Sequence, residues 1–554
     1  MTLTATRPEA GLKRHLSGLN ILQIAINSII GTGWLFSSLN AAASAGPAAL
    51  IAWFIAAAIM VLIAFNHAEL GAMFSVAGGS ARFVHYSHGT TAGFGIGWMV
   101  WIYGAATVPI EVQGVLSYAE GYLPSWHMFH NDGTLTGFGY FIAAVLLAVF
   151  VVVNLFAIRM LGRIHNFITW WKIATIVLVI AAIITVHFDG SNFSSHGFAP
   201  YGVKGILAAV AIGGIVFAYT GFEQTVQLGA ETSNPGRNIP FALLGSVIIC
   251  TILYVGLQVA FLGGINPHQL VHGWSGIKFN GDTGPFATLA TAVGLSWVAV
   301  IIYIDSVVSP GGNGIAYVTS TARVAYGLGR SKYVPALFSY VNARGVPLVG
   351  VLLTFVVGLL AMLPFPSWQS LVGFLTSATA VLWAGVPIAL GALRKTFPDK
   401  RRPFRLRPAG LWAPVCFIFC DLLLFWTGWQ TDWKVFVAIL LGYALFILNR
   451  VFQSPGERPN LNLRSFWWMA VWLVGMAVIS YFGTFGEAKH PHGLGYLPFG
   501  FWDTAVVAAF SLGVYYLAIA TRLPAAQAAL YAPDELETGA VDLTEIDAMA
   551  ARGV

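Results

Sequence analysis

Along this chain apolar residues neither alternate with polar ones nor recur at the spacing of one buried helix face. They come in unbroken runs separated by short polar stretches. A helix needs about 20 apolar residues to cross the hydrocarbon core of a bilayer. Inside that core every backbone polar group has to be bonded within the segment itself, which a helix achieves. The pattern therefore predicts an all-α integral membrane protein. Fourteen spans are expected, at residues 19–38, 48–65, 92–116, 138–158, 164–186, 205–228, 241–263, 287–316, 348–363, 368–393, 411–429, 435–448, 466–485 and 501–521.

Two of these runs are interrupted near their middles. The first reads Ile29-Ile30-Gly31-Thr32-Gly33-Trp34-Leu35-Phe36 and the sixth Phe217-Ala218-Tyr219-Thr220-Gly221-Phe222-Glu223. Glycine tolerates the dihedral angles of a helix break. Broken backbone at membrane depth survives only where protein or a cavity surrounds it. The breaks fall in the first and sixth spans, so the first ten divide into two sets of five. An odd number per set inverts the second relative to the first. Paired broken helices in two inverted halves mark the substrate site of secondary transporters. The other reading of either motif alone is close packing of small residues between helices.

Charge then orients the chain. Charged residues make up 9% of the sequence, and the formal net charge is +6. With the N-terminus inside, only Lys204, Lys278, Lys434 and Lys489 fall in outer loops, and Lys172 falls within a span. The other lysines and arginines lie inside, the strongest cluster being Arg394–Arg407. This bias predicts an even number of spans with both termini cytoplasmic. It accounts for the basic balance without nucleic acid, and the cluster is expected to face anionic lipid. The start of the chain reads as no cleaved signal peptide. Residues 1–18 are an N-terminal segment, 19–394 a ten-helix core, 395–410 a basic loop, 411–522 four additional helices, and 523–554 an acidic tail.

At this point the residues resemble a family, the amino acid–polyamine–organocation permeases, and within it the bacterial aspartate–proton symporters. The resemblance rests on Gly31-Thr32-Gly33, Ala68-Glu69-Leu70 with Gly78-Gly79, the 217–223 motif, and the loop 229–240. Ser309-Pro310-Gly311-Gly312-Asn313-Gly314, residues 363–368 and residues 480–486 point to the subgroup. The resemblance implies a LeuT-type fold of five plus five inverted helices, with helices 1 and 6 discontinuous. It also implies that Thr32 and Gly33 bind a substrate carboxylate, while the carbonyls of Ile29, Phe217, Ala218 and Thr220 bind the amine. The residues themselves allow this. A half-helix starting at Gly31–Gly33 presents unpaired N–H groups and a positive dipole end. The half-helices ending at the breaks present free carbonyls.

Lys172 is the candidate proton carrier, since burial makes loss of an ammonium proton easier; its alternative is a snorkelling anchor in a sodium-coupled carrier. Glu111 is a weaker candidate, able to pair with Lys172, hold a cationic group or carry a proton. Glu223 suits the N-terminus of the inner half-helix, the alternative being proton handling. Asp305 precedes a proline–glycine stretch that predicts a kinked or open eighth helix. Lys172, Asn27 and Asn313 are candidate donors to an acidic substrate side chain; Phe217 or Trp383 would line a pocket for a neutral one. The histidines sit mostly at span ends and read as interfacial. Cys250, Cys416 and Cys420 read as packing. No metal cluster, nucleophile elbow or phosphate loop is present in the sequence. The function expected is proton-coupled symport of an acidic amino acid, with no cofactor other than the coupling proton. The alternatives are a neutral amino acid or polyamine permease, or an exchanger. The expected partners are the amino acid and membrane lipid.

Overall fold

A computed structural model of the chain describes residues 16–75, 79–130, 133–156, 158–277, 284–342, 346–365, 367–455, 458–483, 485 and 501–532. Gly78, Lys278, Pro366, Thr484, Gly486, Lys489 and the acidic tail beyond residue 532 lie outside the described residues, as do residues 1–15. The described residues form helices and no β-strands, with two isolated bridges.

The first span begins at Ser17, whose side chain caps the helix by accepting from the Asn20 N–H at 3.3 Å. It is split into α1 (Gly18–Ile29) and α2 (Gly33–Ala45). A single turn of 3-10 helix then leads into α3 (Ala49–Met73), and α4 (Gly79–His88) packs on α5 (Thr90–Tyr122). The first set closes with α6 (Gly137–Phe156) and α7 (Ile158–Val186).

The sixth span comprises α8 (Gly202–Ala211), α9 (Ile215–Tyr219) and α10 (Gln224–Gln227), bent by 40° between α8 and the rest. It is followed by α11 (Pro235–Gly264), the short α12 (Pro285–Ala292), α13 (Ser296–Arg330), α14 (Leu348–Ala361) and α15 (Trp368–Thr396). The remaining helices are α16 (Ala409–Thr427), α17 (Trp429–Phe452), α18 (Trp467–Phe482), α19 (Phe501–Ala520) and the short α20 (Ala525–Tyr531).

Among the described residues eleven helical stretches are long and apolar enough to cross a membrane, or twelve with the bent α8–α10. The other two expected spans are the broken first one and α14, which is only 14 residues long. The chain is thus a multi-pass membrane protein.

Three expectations change. Segment 287–316 is not one helix: α12 ends at Ala292 and α13 starts anew at Ser296. Within α13 the stretch Ser309-Pro310-Gly311-Gly312 stays helical, so the eighth span is not opened there. His67 and His88 are fully buried rather than interfacial. Each finds a backbone carbonyl, Ile63 for His67 Nδ1 and Ala518 for His88 Nε2, both at 2.9 Å. Buried polar groups persist where they are bonded in this way.

The basic loop is also less free than its charge suggests. Glu69 of α3 accepts from Arg394 Nε at 2.8 Å and Nη2 at 2.5 Å, and from the Leu406 N–H at 2.7 Å. Arg402 Nε lies 3.4 Å from the same carboxylate. One buried acid therefore pins the segment between α15 and α16 to the end of the second span.

Candidate functional site

The two broken spans meet at their breaks. In the first, Ile30 leaves the helical region (φ −81°, ψ 95°) and α2 does not start until Gly33. In the sixth, Gly221 has φ +113°, and a Cβ there would lie 2.4 Å from the Ser28 carbonyl oxygen. Gly33 sits against the other side of the sixth span, where a Cβ would lie 2.8 Å from Ala218 Cα. Glycine at both positions permits an approach that any side chain would block. The predicted residues Ile29, Thr32, Gly33, Phe217, Ala218 and Thr220 are therefore brought to one place, and all are buried.

The sixth span has a further break that the sequence reading missed, at Ile212–Gly214. Gly214 has φ +83°, and its carbonyl accepts from Ser37 Oγ of α2 at 2.9 Å. The signal was the pair Gly213-Gly214.

Three buried ionisable side chains surround the break of the first span: Lys172 of α7, Glu111 of α5 and Asp305 of α13. Lys172 donates through Nζ to the carbonyls of Asn27 at 2.9 Å and Ile30 at 2.6 Å. These carbonyls belong to the end of α1, where the helix leaves acceptors unpaired. The snorkelling alternative does not hold in this structure, since the ammonium is wholly buried in the break.

Among the described residues Glu111 makes no direct ion pair with Lys172. Its Oε2 accepts from the Thr32 N–H at 2.9 Å and its Oε1 from Asn313 Nδ2 at 2.8 Å. The carboxylate thus takes an N–H at the start of α2 that was assigned to a substrate carboxylate. Gly31 makes room for it, since a Cβ there would lie 2.4 Å from Oε1. The Ile29 carbonyl is likewise engaged, by the Gly31 N–H at 3.1 Å.

Asp305 is buried, not at a solvated outer position. It accepts from Trp34 Nε1 at 3.1 Å, Trp171 Nε1 at 2.8 Å and Ser309 Oγ at 2.8 Å. Glu223 accepts from the Gly221 N–H at 3.1 Å, fixing the turn between α9 and α10.

Trp368, at the start of α15, was not foreseen as a site residue. Its indole N–H donates to Thr32 Oγ1 at 3.1 Å, and its ring packs on Phe217 and Phe36 with centroids 5.6 and 4.8 Å apart. Ser367 caps α15 just before that tryptophan. Trp383 instead packs on Phe222, with centroids 5.7 Å apart. Helix-end N–H and carbonyl groups, an apolar wall and a buried ammonium therefore converge on one pair of helix breaks, where the Phe217 carbonyl is already engaged by the Thr220 N–H at 3.0 Å and Oγ1 at 2.7 Å.

Residues 16–448 match the family model described as amino acid permease. The chain belongs to the amino acid permease family. The match runs past the tenth span into α17. A glutamate/serine transporter of Bacillus subtilis is 36% identical over 516 residues, covering 92% of this chain and 94% of that protein. An aspartate-proton symporter of the same organism is 35% identical over 525 residues, covering 94% and 98%. A branched-chain amino acid permease, also of B. subtilis, is 27% identical over 463 residues, covering 80% and 95%. As a family of carriers, the permeases place this chain among transporters rather than enzymes.

Proposed function

We propose that this permease is a proton-coupled symporter for an acidic amino acid, aspartate or glutamate, in a bacterial cell membrane with both termini cytoplasmic. The observation that carries the reading is the Lys172 ammonium bound to the Asn27 and Ile30 carbonyls in the break of the first span. A charge held there is coupled to the backbone that receives the substrate. The two most similar relatives described above, one named for glutamate and serine and one for aspartate and protons, support the substrate class.

In this reading the substrate carboxylate takes the N–H groups of Thr32 and Gly33, and its amine takes carbonyls at Phe217, Ala218 and Thr220. Glu111 already occupies the Thr32 N–H, so substrate must displace it or meet it protonated. Loss of the Lys172 proton would release the α1 carbonyls. Proton and substrate occupancy then influence each other, and by linkage the influence is mutual. A neutral amino acid is the second reading, favoured by the aromatic wall of Phe217, Phe36 and Trp368.

Uptake of labelled aspartate into liposomes under an imposed pH gradient, challenged with unlabelled amino acids and polyamines, tests the proposal. Aspartate and glutamate should compete best. Inhibition by neutral amino acids alone would move the assignment to the second reading. Lys172→Ala should abolish accumulation driven by the pH gradient while the protein remains monodisperse. If that variant still concentrates aspartate under the gradient alone, Lys172 is not the carrier.

A further inference from the structure

Away from the helix breaks, α3, α8 and α16 enclose an open cavity of about 940 Å³. That volume is at the upper end of the roughly 300–1,000 Å³ of small-molecule sites. Its wall is aliphatic and aromatic: Ile59, Leu62 and Phe65 from α3, Leu207 from α8, Phe419 and Trp426 from α16. One end is different. There the segment joining α15 to α16 brings Phe404 over Phe65, with centroids 6.3 Å apart, and places Arg405 and Arg407 on the cavity lining. Among the described residues no aspartate or glutamate lines the cavity.

Of the five arginines from the end of α15 to the start of α16, four have divided roles. Arg394 and Arg402 are taken by Glu69. Arg405 and Arg407 are exposed and make no hydrogen bond or ion pair among the described residues. The Glu69 clamp therefore fixes the segment while leaving Arg405 and Arg407, exposed and lining the apolar slot, without a partner among the described residues.

We infer that this cavity is a binding site for an anionic phospholipid of the cytoplasmic leaflet, its phosphate held by Arg405 and Arg407 and its acyl chains lying between α3, α8 and α16. The charge is complementary, and guanidinium recognises phosphate through paired N–H donors. A basic pocket between spanning helices on the cytoplasmic side suits such headgroups. With two cations and no acid at the mouth, a headgroup of net negative charge binds better than a zwitterionic one. The occupant would join α8, the first part of the broken sixth span, to α16 outside the ten-helix core.

The test is native mass spectrometry of the delipidated, detergent-solubilised full chain titrated with phosphatidylglycerol or with phosphatidylcholine of the same acyl chains. Wild type should retain the first lipid several-fold more than the second. The double variant Arg405→Gln/Arg407→Gln should lose that preference, and Leu62→Trp, which fills the slot, should lower retention of both lipids. The pair Arg458→Gln/Arg464→Gln, basic residues elsewhere in the chain, should leave the preference intact. Equal retention of the two lipids by wild type would overturn the site. So would an unchanged preference in the Arg405/Arg407 variant, or an equal loss in the control pair.

Discussion

Gly33 carries a hydrogen where any other residue would put a carbon 2.8 Å from Ala218 Cα. The obstruction is backbone, so it cannot rotate away. Gly33→Val should therefore push α2 off α9, and measured substrate affinity should fall by tenfold or more while membrane insertion survives. Wild-type affinity in a stable Gly33→Val protein would remove these breaks as the substrate site. The position was legible in the sequence because a glycine inside an apolar run has few reasons to be there. Lys172 was legible for the same kind of reason, as a charge inside a span. Its partners were not, because the Asn27 and Ile30 carbonyls carry no mark of residue type. The role of Glu111 was hidden similarly: its partner is a backbone N–H, exposed only because α2 starts late.

Between elements, a buried polar cluster among the added helices centres on Asp432 of α17. Its Oδ1 accepts from Ser377 Oγ of α15 at 3.0 Å and from Thr427 Oγ1 at the end of α16 at 2.8 Å. Its Oδ2 accepts from Ser480 Oγ of α18 at 2.6 Å. One buried carboxylate thus ties together four helices. No spacing in the sequence announces this, since the hydroxyls come from separate spans and serine and threonine are common in helices. Removing the acceptor strands the Ser480 hydroxyl, at about 1–3 kcal/mol for a buried group left unsatisfied, while Ser377 and Thr427 keep each other and the Leu424 carbonyl. Asp432→Ala should lower the thermal midpoint of the solubilised protein clearly, and Asp432→Asn, which keeps one acceptor oxygen, should lower it less. Equal midpoints for wild type and Asp432→Ala would show that the cluster is not what joins these helices. The sixth span gives the opposite lesson about legibility. Its central break was read from Gly221, but Gly213-Gly214 was passed over, since two glycines in a helix also suit close packing.

At the scale of the whole molecule, α15 decides how the added helices relate to the core. In its most apolar 18-residue window every residue is buried. It packs on α3, α4 and α5 of the first set and on α16, α17 and α19 beyond the tenth span. Helices after residue 410 are therefore part of the enclosure of the tenth span, the span that also carries Trp368 to Thr32. The family match extending to residue 448 agrees with this. The sequence showed these helices as four more apolar runs, and nothing in a run of leucines says which neighbour it covers. Lipid is as apolar as a helix face, so uncovering α15 would cost packing and hydrogen bonds rather than hydrophobic burial. Among those bonds is Ser377 Oγ of α15 to Asp432 of α17 at 3.0 Å, and α17 is also tied to α5 by Trp98 Nε1 donating to the Ala438 carbonyl at 2.9 Å. Truncation after Asp399 should consequently yield a chain that inserts but neither binds nor transports substrate. Truncation after Gln453 keeps α16 and α17 against α15, and should retain measurable binding at a lower thermal midpoint. Uptake and binding by the two truncated proteins in liposomes separate these outcomes. Wild-type transport by the shorter one would mean that the ten-helix core works alone, and that the burial of α15 has no part in holding the site.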